Sequence, residues 1–153
     1  MDTALSRLRV WPVWQKAKRL TISAVHEDPA TGARAAEFCE TLSRCLGRTC
    51  AINKELWLLT ELRTAQLRSI AAAEAAAADV VIISVHHGEM LPDEVNKWIG
   101  LWLKQRRTRP AVLLALFDPL YLGTSSSIQT HLRDVAKRGH MEFLARSEEK
   151  PED

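Results

Sequence analysis

The sequence predicts a three-layer α/β sandwich, a five-stranded parallel sheet of order 2-1-3-4-5 with helices on both faces. Three observations carry this. Residues 80–85 and 111–117 are continuous apolar runs, the pattern of strands buried on both faces. Between strand-like runs, apolar residues recur at helical spacing, so strands and helices alternate. The chain of 153 residues suits one core, and alternation of this kind implies right-handed crossovers within one sheet.

Residues 1–19 form a basic, amphiphilic N-terminal segment. Trp11 and Trp14 flank Pro12 and Val13, and proline suits a first helical turn. A short helix over about 12–19 is expected to lay its tryptophans on an edge or face of the core. The α/β domain proper is expected over 20–146. Its first strand is 20–25, followed by Asp28 as N-cap and Pro29 at the first helical position. Ala35, Phe38, Cys39, Leu42, Cys45 and Leu46 then keep helical spacing, and Gly47 stops the helix. The second strand, 51–59, carries Asn53, Lys54 and Glu55 and reads as an edge. Residues 64–78 form a helix whose alanines allow close approach to the sheet. The third strand, 80–85, is the central one.

The next helix spans about 92–107, with Asp93 and Glu94 in its first turn and Pro110 blocking continuation. Val95, Ile99, Trp102 and Leu103 face the core, and Trp98 and Leu101 widen that stripe. The fourth strand, 111–117, leads to a helix carrying Ile128, Leu132, Val135 and Ala136, capped from within 124–127 and closed by Gly139. A last strand covers 141–145. The charged tail, 147–153, is expected to be disordered.

Hydrophobic and charged contents of 46% and 26% and a net charge of +2 are those of an ordinary globular domain. So small a charge predicts no nucleic-acid partner. Lys104, Arg106, Arg107 and Arg109 are expected to complement the dipole at the end of their own helix. Cys39, Cys45 and Cys50 have no metal-ligand spacing and read as thiols in a reducing compartment. No apolar run approaches the roughly 20 residues that span a membrane, and the amino terminus lacks a secretory apolar core. A cytoplasmic protein without a membrane partner is expected.

In a sheet of this order, ligands bind beyond the carboxyl ends of the strands, between the first and third. The loops there carry His26, Glu27 and Asp28, then His86, His87, Gly88 and Glu89, then Asp118 and Tyr121. His26, Glu27 and His86 are the set from which a metal site would be drawn. No spacing matches a zinc pattern, so no metal is expected, and solvated loop histidines are the plainer reading. A phosphoaspartate receiver would need an aspartate where Val85 and His86 stand, and a lysine after the fifth strand that is missing. Glu27 and His86 as acid and base of a hydrolase or transferase is a further arrangement.

The segment Ala78-Asp79-Val80-Val81-Ile82-Ile83-Ser84, then Gly88-Glu89-Met90-Leu91-Pro92, Val95, Lys97 and Trp98-Ile99, resembles the flavodoxin-like quinone reductase and FMN reductase families. Arg109-Pro110-Ala111-Val112 is similar to their next strand. His131-Leu132, with Gly139-His140-Met141-Glu142-Phe143, is similar to their last helix and strand. The likeness covers about two-thirds of the chain. It implies a flavodoxin-like sandwich binding FMN or a related phosphorylated ligand. Thr31, Gly32 and Arg34 would hold the phosphate, with His86, His87, Gly88, Glu89, Met90, Asp118 and Tyr121 about the ring. Thr31-Gly32 matches the family's Thr-Gly pair, whereas Pro29 and Arg34 stand where serine or threonine is usual.

The alternative is a non-catalytic regulatory or protein-interaction domain that kept the fold and lost the cofactor. Its partner would be another protein or a second copy, dimerising through the Trp98, Leu101 and Trp102 face. The chain is also similar to short uncharacterised bacterial proteins with a Glu-Asp-x-Ala-Thr-Gly segment, a likeness that implies no activity.

Overall fold

The strands β1 (Arg19–His26), β2 (Ala51–Leu58), β3 (Val80–Ser84), β4 (Val112–Phe117) and β5 (Glu142–Ser147) form one sheet of order β2-β1-β3-β4-β5. Every pairing is parallel. The structure is a computed structural model, and it describes residues 3–86, 90–105, 107, 109–118 and 126–147. All residues of β3 and β4 are buried, because helices cover both faces of these inner strands. The outer strand β2 is mostly exposed, and its Asn53, Lys54 and Glu55 keep the edge polar.

The helices are α1 (Thr3–Ser6), α2 (Trp11–Lys16), α3 (Pro29–Leu46), α4 (Ala65–Ala77), α5 (Asp93–Leu103) and α6 (Ser126–Arg138). A 3-10 turn, Leu59–Arg63, follows β2 where strand was expected to continue. One face of the sheet is covered by α4, α5 and α6, whose Ala75, Val95, Trp98 and Leu132 meet Val81, Ile83, Leu113 and Phe117. The other face is covered by α3 together with the N-terminal segment. Leu5, Val10, Trp11 and Trp14 join Phe38 and Leu42 over Ile22, Ile82 and Leu114. No described helix follows β5, and the N-terminal segment takes the place beside α3 that such a helix would cover. Each fully buried large side chain here contributes about 1.5–3 kcal/mol over its exposed state.

Glu142 fixes that segment. Its carboxylate accepts the backbone N–H groups of Arg9 at 2.7 Å and Val10 at 2.9 Å. The helix of this region starts at Trp11, earlier than expected, with Pro12 in its first turn.

Two further expectations change. The helix expected to reach residue 107 ends at Leu103. Arg107 leaves it to donate to the carbonyls of Ala75 at 2.8 Å and Ala78 at 2.9 Å, and Arg109 donates to Ala77. These cations therefore close the carboxyl end of α4, not of their own helix. Burial lowers the pKa of Arg107. Strand β5 runs in register to Ser147, the first residue of the expected tail. Residues 148–153 lie outside the described residues. Cys39, Cys45 and Cys50 are unbridged, with Cys39 and Cys50 buried.

Candidate functional site

The carboxyl ends of β1, β3 and β4 bring Glu27, Asp28, His86 and Asp118 together with Arg34 from the first turns of α3. Local chemistry positions the first of these. Asp28 is extended and caps α3, accepting the Thr31 N–H at 2.9 Å. The Thr31 hydroxyl accepts the N–H of Glu27 at 2.9 Å and of Asp28 at 3.0 Å, completing a capping box. The buried Ser84 hydroxyl, at the end of β3, donates to the Thr31 carbonyl at 2.8 Å and ties the helix start to the sheet.

His86, just past β3, lies between two carboxylates. Its Nε2 is 2.6 Å from Asp28 Oδ2, and its Nδ1 is 3.0 and 3.1 Å from the Asp118 oxygens. A carboxylate only accepts, so hydrogen bonds to both of these call for a proton on each ring nitrogen, the imidazolium form. The hydrogen bond to Asp28, then that to Asp118, raises the His86 pKa. The Thr31 amide and then His86 bring Asp28 down from the ordinary 3.8 to about 2. Burial opposes ionisation of Asp118, but hydrogen bonds from Arg34 and His86 outweigh it and lower its pKa. Arg34 Nη2 donates to Asp118 Oδ1 at 2.8 Å. Glu27 accepts the backbone N–H of His86 at 2.7 Å.

Among the described residues, the network holds three carboxylates against Arg34 and a protonated His86, and the residual charge of this set is negative. That repels a phosphate. The cradle expected for one is filled by the protein's own groups. Thr31 is 0% exposed with its hydroxyl engaged. Gly32 lies under the His26 imidazole, whose Cε1 and Nδ1 stand 2.8 Å from where a Cβ would be. His26 Nδ1 is itself 3.1 Å from the Asp28 carbonyl. Among the described residues only Arg34 Nη1 is a buried donor there without a partner.

Of the residues expected to form a site, Thr31, Gly32, Arg34, His86 and Asp118 come together. Met90 is 81% exposed and is not drawn into this network. His87, Gly88, Glu89 and Tyr121 lie outside the described residues. The weak metal candidates His26, Glu27 and His86 are each bonded to protein groups, and no set of three or more metal ligands occurs among the described residues. The hydroxyls of Thr31 and Ser84 are committed to the backbone, so neither is poised as a nucleophile.

Asp79, which resembled a family signature, has a structural task. It accepts the Thr21 N–H at 2.9 Å, and Arg109 lies 3.5 Å away. Sequence reading overlooked Ser84, whose only signal is one hydroxyl ending an apolar strand. Among the described residues no helix is long and apolar enough to cross a membrane. Comparison with protein-family models, curated proteins and solved structures gives no match.

Proposed function

We propose that this protein is a non-catalytic regulatory or protein-interaction domain on a flavodoxin-like scaffold, its ligand end closed by its own ion-pair network. The observation that carries this reading is the Asp28–His86–Asp118–Arg34 chain across three elements. Apart from Arg34 Nη1, the described groups that a phosphate would need are bonded inside the fold, and the excess charge among them is of the wrong sign. An imidazolium with both N–H groups engaged is also badly placed as a general base. The Glu27 and His86 acid–base arrangement therefore has little support.

A second reading, FMN or another phosphorylated ligand, is favoured by Arg34 Nη1, among the described residues the one unpartnered buried donor at the site. An absorbance spectrum of the purified protein, followed by melting curves with FMN, nucleotides and inorganic phosphate, separates the two. The interaction-domain reading expects a colourless protein whose melting point none of them raises. A yellow protein, or a rise with FMN, supports the second reading instead.

Dimerisation through the Trp98, Leu101 and Trp102 face lacks support, because Trp98 and Trp102 are 0% and 1% exposed within a single chain. A partner surface has to be sought elsewhere.

A further inference from the structure

At the opposite end of the sheet, a groove of about 760 Å³ runs between the N-terminal segment, α6 and the start of β5. Val13, Pro110 and Phe143 give it apolar walls, and Arg9, Arg133 and Lys137 stand along it. Val13 is 55% exposed, an aliphatic side chain left in water beside the buried Val10. No ion pair among the described residues engages any of these three cations. The groove's one carboxylate, Glu142, has both oxygens occupied by the Arg9 and Val10 amides. The Arg133 guanidinium sits 5.2 Å from the centre of the Phe143 ring, so this cation is held in position before any ligand arrives.

We infer that this groove docks an extended acidic segment of a partner protein, its carboxylates on Arg133 and Lys137 and an apolar side chain over Val13 and Phe143. The spacing fits. Arg133 and Lys137 are one turn apart on α6, about 6 Å along the axis. Alternate residues of an extended chain project on one side about 6.6 Å apart, so acidic residues two apart meet both cations. The groove is open, with its cations exposed, whereas small-ligand sites enclose most of their ligand. Three cations on a chain of net charge +2 make too short a basic track for nucleic acid. The inference rests on the interaction-domain reading and names its partner's chemistry.

The test is an NMR titration of the full chain with two synthetic hexapeptides, one alternating aspartate and leucine, the other with asparagine for aspartate. The acidic peptide is expected to shift the amides of Val13, Arg133, Lys137 and Phe143 saturably, and to bind about tenfold more tightly than its neutral counterpart, with the difference reduced by salt. R133E/K137E changes exposed positions and is expected to remove the response while the melting point holds. K137E alone keeps the Arg133–Phe143 contact and is expected to weaken binding about threefold.

Equal binding of the two peptides overturns the inference, as does an unaltered response in R133E/K137E. No shift at millimolar peptide also overturns it, as does tighter binding of an RNA oligomer. Acidic-peptide shifts confined to another face sink the groove and leave the interaction-domain reading intact. Flavin taken up at the His86 end sinks that reading without moving a groove resonance.

Discussion

Among the described residues His86 bridges two carboxylates, and on the proposed reading it holds rather than reacts. Its pKa is raised by the carboxylates on either side, which favours the cationic ring that joins Asp28 to Asp118. The sign of the pH dependence follows. The His86 contribution is fully present below the ordinary imidazole value of 6.5 and is lost as pH rises through its raised folded value. Asp28 acts at the other limit, its contribution present above 3.8 and lost as pH falls towards about 2. Asp118, also lowered, follows Asp28. His86→Gln is expected to cost about 1 kcal/mol near neutrality, since the group is partly exposed, and to abolish the alkaline decline. Denaturant melts from mildly acid to mildly alkaline pH measure this. An alkaline limb as steep as the wild type's would show that His86 is not the titrating clamp.

The elements were legible in proportion to how much of their stability is local or periodic. The continuous apolar run of β3 and the alternation of helix and strand announce a parallel sheet, and Asp28-Pro29 announces the start of α3. What α5 does at its end was not legible, because Arg107 satisfies carbonyls of α4 about 30 residues away. The width of the α5 stripe was misleading for the same reason. Trp98 packs edge-on to Trp102 at 5.9 Å, and Arg107 covers the Trp102 ring at 5.4 Å, so the chain itself uses the whole stripe. Trp98→Ala is therefore expected to lose about 3–5 kcal/mol of folding stability, with no separate effect on association. Sedimentation and denaturant melts of the variant decide this, and a change of mass at unaltered stability would restore the dimer surface.

Glu142→Ala tests the other added layer. It removes the acceptor of two N–H bonds and is expected to cost about 2 kcal/mol. It should also red-shift tryptophan emission as Trp11 and Trp14 gain water. Unchanged emission and stability would mean that packing alone holds residues 3–16.

For the molecule as a whole, sequence indicated which strand ends would meet without revealing how their residues pair. The reversal of strand order told which loops would meet, and Thr31, Gly32, Arg34, His86 and Asp118 do gather there. Their pairing was invisible, because Arg34 and Asp118 are 84 positions apart and no spacing rule links them. The same residues that suggest a phosphate loop in sequence close that loop in space, since each finds a partner inside the fold. Thr31 is the plainest case, its match to a family pair being equally a capping box. The function proposed rests on this difference between residues present and residues available.

The most direct test is nitrogen-15 NMR of the His86 ring at neutral pH, before and after excess FMN. Both ring nitrogens are expected to be protonated and to keep their shifts when FMN is added. A neutral ring, or a His86 displaced as flavin binds, would contradict the closed site.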